Sequence, residues 1–164
     1  MKQIIENKYV YTTKDFDILD WHDCKIYGLA FDDNTFRFYL DIDFIIEWIN
    51  PLNDVDGYKF KLAPATLIFQ NVWNLVFDID TNLSLDIDNI SMQNPHFPIN
   101  KDFLPEIKEY DWIISLQQGE ITFKSIGLEL YLRKSPQISQ IQTFGIKERG
   151  GISFSTTIPD TPRL

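Results

Sequence analysis

The chain has 164 residues and a mass of 19.3 kDa, a length typical of one domain, and 44% of its residues are hydrophobic. This composition excludes general disorder, so residues 1–164 are expected to fold as a single domain. The net charge of −9 argues against a nucleic-acid partner, because a phosphate backbone is held by clustered cations.

Apolar and polar residues alternate along most of the chain. The first clear run is 36–44, in which Phe38, Leu40 and Ile42 alternate with polar neighbours, and similar runs begin at Trp73, Leu83, Tyr110, Ile121, Leu128 and Ile152. Alternation is typical of strands that bury one face and expose the other. The sequence therefore predicts an all-β fold, a curved antiparallel sheet that forms a sandwich or partial barrel with at most one or two short helices.

Three hairpins are predicted from the turn residues and from the need to keep apolar faces together. Their expected closing pairs are Phe31 with Phe36, Ile79 with Leu83, and Leu116 with Ile121. A slip of one residue in any of them would turn the apolar set towards water, so each pairing tests the β assignment separately.

Helix has little support in the sequence. Residues 44–50 fit either a continued strand or a helical turn that stops at Pro51, and Asp102 is able to cap a brief helix that runs to Tyr110. The last residues, 158–164, contain two prolines and are expected to be frayed.

The triplet Asp-Ile-Asp occurs three times and is the feature with most functional content. In a strand the two aspartates share one face while the isoleucine points to the other. The carboxylates of the three triplets are therefore expected on the outer face of the sheet; they belong to Asp41, Asp43, Asp78, Asp80, Asp86 and Asp88.

Such a face has two interpretations. Charged outer faces commonly keep antiparallel sheets soluble, and they also attract a basic protein and raise its association rate. The charge distribution favours a cationic partner, since residues 1–111 contain 20 acidic and 9 basic side chains whereas residues 112–164 contain 4 and 6. A calcium or magnesium site is not favoured, because strand-face carboxylates diverge.

One short segment brings an imidazole, a carboxylate and a thiol together in sequence, namely His22, Asp23 and Cys24. In an extended chain His22 and Cys24 point the same way, so a catalytic pair is conceivable, although a histidine in this position more often has a structural role. His96 could approach His22, Asp23 and Cys24 only through tertiary folding. Two histidines and one cysteine do not predict a zinc site, and no cofactor or metal is expected.

The expected cellular compartment is inferred from features that the sequence lacks. A single cysteine excludes an internal disulfide, and the sequence has neither the apolar core of a signal peptide nor a stretch of about 18 apolar residues. We expect a cytoplasmic protein without a membrane partner. The sequence does not indicate an oligomeric state.

Three segments of the first half carry a resemblance: Leu19 to Leu29 with the pair His22-Asp23, then Leu40-Asp41-Ile42-Asp43, then Ala65 to Val72. Together they resemble small bacterial β proteins in which a His-Asp pair leads the first core strand, several of which are grouped with immunity proteins of polymorphic toxin systems. The resemblance implies a protein that binds and neutralises a cognate toxin and performs no chemistry.

Three functions remain open from the sequence. The first is non-enzymatic binding of a basic protein, of the immunity type, through the aspartate face. The second is binding of a small molecule in an aromatic-lined interior, and the third is an enzyme centred on His22 and Asp23.

Overall fold

The computed structural model describes residues 7–98, 102 and 106–163. Its described part is an antiparallel sheet of ten strands with a 3₁₀ helix at Thr13–Ile18 and a four-residue helix, α1, at Ile146–Arg149. The strands are β1 (Val10–Thr12), β2 (Lys25–Asp32), β3 (Arg37–Ile49), β4 (Lys59–Gln70), β5 (Trp73–Ile79), β6 (Leu85–His96), β7 (Glu109–Leu116), β8 (Gly119–Ser125), β9 (Gly127–Leu132) and β10 (Gln137–Ser139). The predicted all-β fold with few helices is confirmed.

The strand order is β1-β9-β4-β3-β2-β6-β7-β8-β5, with β10 pairing β4 beside β9. Only two residue pairs, Lys25 with Asp86 and Ile26 with Leu85, join β2 to β6. The sheet bends at this short junction and does not close into a barrel. Its two halves, β1-β9-β4-β3-β2 and β6-β7-β8-β5, pack against each other.

Aromatic rings fill the space between the halves. Phe69 of β4 lies 4.7 Å from Phe123 of β8 and 5.1 Å from Trp112 of β7, measured between ring centroids, and both contacts are edge-to-face. Phe38 of β3 contacts the rings of Phe77 and Phe123. Edge-to-face packing adds to the energy of apolar burial, so these rings hold the two halves together.

Two of the predicted hairpins form, each with its register shifted by two residues. Phe31 pairs with Phe38 rather than Phe36, and Leu116 pairs with Gly119 rather than Ile121. A shift of two preserves the side-chain faces, so Phe38 and Ile114 are buried as predicted although the pairs differ. Phe36, which was expected to point inward, lies in the turn and is 52% exposed.

The third hairpin, between Ile79 and Leu83, does not form. The β7–β8 hairpin lies between β6 and β5 instead, so β5 pairs with β8 and β6 pairs with β7. The connection from β5 to β6 crosses the tip of that hairpin, where the amide of Asp80 donates to the carbonyl of Gln118 at 3.0 Å.

The uncertain segments are resolved as follows. Residues 44–49 continue β3, so the helical alternative is wrong. Of the helix expected from Asp102 to Tyr110, residues 103–105 lie outside the described residues, and 109–110 belong to β7. In the tail expected to be frayed, the Arg163 guanidinium donates to the Lys8 carbonyl at 2.9 Å and to the Tyr11 hydroxyl at 2.6 Å.

Candidate functional site

Asp41 and Asp43 do not lie on an exposed face. Both residues are fully buried, so the prediction that they meet solvent is wrong. The reason is that residues 142–155, here called the C-terminal strap, cover the outer face of β3. The strap amides of Phe144 and Ser153 donate to Asp43 and Asp41 at 2.9 and 2.8 Å.

The strap is fastened by Arg149, whose guanidinium is buried between the two aspartates. Its Nη1 and Nη2 donate to the two oxygens of Asp41, both at 2.7 Å, and its Nε donates to Asp43 at 3.0 Å. The carbonyls of Gly151 and Ile42 accept the two remaining N–H bonds at 2.8 and 3.0 Å. All five donors of the guanidinium are therefore satisfied.

Two further side chains complete this buried network. Arg133 donates to Asp41 and to the hydroxyl of Thr66, both at 2.8 Å, so two guanidinium groups balance two carboxylates. Tyr27 donates to Asp43 at 2.8 Å, and its ring lies 4.0 Å from the centre of the Arg149 guanidinium. The network is neutral and internally paired, which suits a structural role.

The network also changes ionisation. Burial by itself would lower the pKa of Arg149, but its hydrogen bonds and charge pairing with Asp41 and Asp43 raise that pKa above its ordinary value. Burial, together with the hydrogen bond and the negative charge of Asp43, raises the pKa of Tyr27 to about 12. Arg149 therefore stays cationic and Tyr27 stays neutral through the physiological pH range.

The other four predicted aspartates do lie near one another. They lie near the turn Gln117–Gln118 between β7 and β8, and with Asp23 and Glu120 they form what we call the acidic rim: Asp23, Asp78, Asp80, Asp86, Asp88 and Glu120. The turn connects its members, because the Gln117 side chain donates to Asp23 at 3.0 Å and the Gln118 side chain donates to Asp86 at 3.1 Å.

Within the rim, exposure separates two groups. Asp23 and Asp86 are half-buried and accept hydrogen bonds from neighbouring side chains, including that of Gln142 to Asp23 at 2.8 Å. Asp78, Asp80 and Asp88 are exposed. Asp78 also lies directly across from exposed Glu120 in the β5–β8 pairing, an arrangement of like charges that costs stability. The exposed group is therefore the part of the rim that is available to a cation.

His22 belongs to the edge of the rim. Its Nδ1 lies 3.3 Å from Asp88 and its Nε2 lies 3.5 Å from Asp23, while its ring stacks on Trp48. Cys24 is buried in the core, where its sulfur accepts from the amide of Ile45 at 3.4 Å. The side chains of His22 and Cys24 thus occupy different environments, and they do not form the catalytic pair considered from the sequence.

A second polar cluster was not predicted from the sequence. Glu109 is fully buried and accepts from both the Trp73 indole, at 2.9 and 3.0 Å, and the His96 Nε2, at 2.9 Å. It lines a surface cleft of about 280 Å³ together with Trp73, Asn94, His96, Phe97 and Lys124. His96 contacts the carbonyl of Asn94 through Nδ1 at 2.6 Å.

Two β-bulges bring these side chains together. The pairing of β5 with β8 shifts between Trp73 and Val76, and that of β6 with β7 shifts between Gln93 and His96. Asn74 and Asn94, one in each bulge, have φ angles of 55° and 56°, a left-handed conformation that asparagine tolerates better than most residues. An asparagine inside an otherwise alternating run was the available signal.

The polar groups of this cleft bind one another. Lys124 and Asn94 both donate to Asp111, and these two hydrogen bonds hold the pKa of Asp111 below its ordinary value although burial opposes them. Because both ring nitrogens of His96 also have partners, the arrangement favours a closed hydrogen-bond network over a site that engages substrate.

No protein-family model, no curated protein and no solved structure matches this chain. Across residues 7–98, 102 and 106–163, no helix is long and apolar enough to cross a membrane. In the same ranges, no group of three or more histidine, cysteine, aspartate or glutamate side chains is placed to hold a metal ion.

Proposed function

We propose that this protein is a binding protein of the immunity type, which docks a basic protein partner on its acidic rim and performs no chemistry. The observation that carries the proposal is the placement of exposed Asp78, Asp80 and Asp88 near one turn, although they come from different strands and loops. Asp80 bonds to Gln118, Asp78 pairs with Glu120, and Asp88 follows Ile87, the register partner of Leu116. A shared location turns scattered charges into one negative field, which steers a cationic partner towards it.

Apolar side chains accompany the charges. Leu83 is 97% exposed on the loop that follows Asp80, and Val76 is 52% exposed on the outer face of β5. Protein interfaces typically combine a small apolar centre with a polar margin, and exposed apolar groups of this kind mark contact surfaces. The rim thus offers area for burial as well as charge.

The buried ion pairs of the molecule narrow the set of acids in the proposed interface. Arg133 and Arg149 neutralise Asp41 and Asp43 inside the structure, so part of the cationic C-terminal portion is used by the protein itself. The acids of the rim have no such arginine in their described contacts. Asp41 and Asp43 are accordingly removed from the proposed interface, which keeps Asp78, Asp80, Asp86 and Asp88 and adds Asp23 and Glu120.

The partner is to be sought among the products of the reading frames that flank this gene, since an immunity protein and its toxin are expected side by side. Each basic product is immobilised and its association rate with the purified protein is measured. We expect one product to bind, and we expect the substitution of Asp78 and Asp88 by lysine to lower its association rate by about tenfold or more.

The matched control is the double substitution of Asp54 and Asp56 by lysine. These acids are exposed on the loop between β3 and β4, outside the rim, and the change in net charge is the same. An equal loss of association rate in both variants, or the absence of any basic flanking product that binds, would contradict the proposal.

A further inference from the structure

The sheet ends in an open strand beside the acidic rim. β5 is the last strand in the order and pairs only with β8 among the residues that the structure describes. On the other side of the junction, β2 pairs with β6 only at Lys25 and Ile26, so the edge of residues 28–32 likewise has no strand partner in the described part of the chain.

The backbone groups that β5 leaves open are identified by the hydrogen-bond phase of its pairing with β8. The amide of Asp80 donates to Gln118, which continues the ladder, and hydrogen-bonded residues alternate in an antiparallel pair. Val76 and Asp78 therefore bond to β8. The N–H and C=O groups of Phe77 and Ile79 point to the open edge.

The inward faces of the two edges are also incompletely covered. Phe77 of β5 and Phe31 of β2 are 48% and 45% exposed. Both adjoin Phe38, since Phe31 is its cross-strand partner and the Phe77 ring lies 5.8 Å from its ring. A fully buried ring between two half-exposed ones indicates an apolar seam where the curved sheet fails to close.

We propose that the basic partner binds by adding an extended strand to the open edge of β5. This proposal rests on the proposed function and specifies its geometry. Backbone groups of Phe77 and Ile79 would pair with the incoming strand, whose inward apolar side chains would cover Phe77.

Charge complementarity selects the occupant. The outward side chains of the added strand lie beside Asp78, which already faces Glu120 across β5 and β8. A lysine or arginine in that position relieves the repulsion between these two carboxylates. The fitting partner is therefore a segment in which basic and apolar residues alternate.

The test uses an end-capped peptide of about nine residues that alternates lysine and valine, a length that matches an ordinary strand. Amide hydrogen exchange of the whole protein is followed by NMR with and without the peptide. We expect exchange at Phe77 and Ile79 to slow by about tenfold or more, while exchange at Val76 and Asp78 changes little because those amides already bond to β8.

Two control peptides separate the contributions. A peptide with the same charges but N-methylated at every residue has no backbone N–H to donate at either edge, so it cannot form a β ladder. We expect it to leave Phe77 and Ile79 unprotected. A peptide that alternates glutamate and valine tests the charge, and we expect it not to bind.

Each of the three peptides has a result that would overturn strand addition. If the lysine peptide binds without protecting Phe77 and Ile79, or does not bind at millimolar concentration, strand addition is wrong. Docking on the acidic rim is tested separately, by the binding of the flanking gene products. If the N-methylated peptide gives equal protection, the protection does not come from backbone pairing and the proposal is overturned. If the glutamate peptide binds as well as the lysine peptide, the acids do not select the partner, and the proposal is overturned as well.

Discussion

Arg149 helps to bury the outer face of β3, which would otherwise be exposed to solvent. Its guanidinium supplies five hydrogen bonds to the outer face of β3 and to the strap, and none of its side chain is exposed. By this contact Asp41 and Asp43 become interior residues. A buried ion pair adds little over an apolar pair, but the loss of one partner leaves the other charged and buried.

Replacing Arg149 by alanine should therefore lower the free energy of unfolding by about 3–5 kcal/mol, or abolish cooperative unfolding, because Asp41 and Asp43 lose their counter-charge. The measurement is denaturant unfolding followed by fluorescence. Lys147→Ala, an exposed position in the same helix, should change stability by no more than about 0.5 kcal/mol. Similar losses in both variants would show that the network does not hold the strap.

Tyr27 gives the network a pH dependence at high pH. Its pKa is raised from 10.0 to about 12 in the folded protein, so its contribution to stability is complete below pH 10 and is lost as the pH rises from 10 to 12. We expect the wild type to lose more unfolding free energy over that window than Tyr27→Phe does. Tyr58→Phe, at an exposed tyrosine, should behave like the wild type; an identical pH profile for Tyr27→Phe would contradict this assignment.

At the scale of elements, the bulges decide which face a side chain occupies. Strict alternation from Trp73 to Ile79 predicts that Trp73 points inward, but the bulge at Asn74 leaves it on the outer face with Lys124, its register partner. There the indole bonds to Glu109. The strand itself was predictable from its pattern, whereas Asn74 alone signals the extra residue that redirects Trp73.

The left-handed backbone of Asn74 can be tested directly. Asn74→Ala should cost about 1–2 kcal/mol of unfolding free energy, because a β-carbon is disfavoured at positive φ. Asn74→Gly has no β-carbon and should be nearly neutral, and the same unfolding curves compare the two. If alanine and glycine cost the same, the bulge does not depend on this conformation.

At the scale of the whole molecule, distance along the chain explains what the sequence could and could not predict. Alternation is local, so the strands were predicted, and Asp78, Asp80 and Asp88 are exposed as expected of an outer face. The contact between Arg149 and Asp41 spans 108 residues, and the insertion of the β7–β8 hairpin between β6 and β5 is equally non-local. No neighbouring pattern signals either, which is why Asp41 and Asp43 were misplaced.

The charged side chains of the chain occupy two kinds of position in the fold. Arginines from the C-terminal portion enter the interior and neutralise Asp41 and Asp43, whereas six other acids lie around the turn at Gln117–Gln118. The acidic rim is the group of acids to which the proposed basic partner would be steered.

The most direct test of docking on the rim is the salt dependence of association with the basic flanking product. Between about 50 and 500 mM salt, the Debye length falls from roughly 14 to 4 Å, so steering by the rim is screened. We predict that the association rate falls by about tenfold or more over this range, and that this dependence largely disappears when Asp78 and Asp88 are replaced by lysine. A rate that is independent of salt, or a salt dependence that survives both substitutions, would contradict the account.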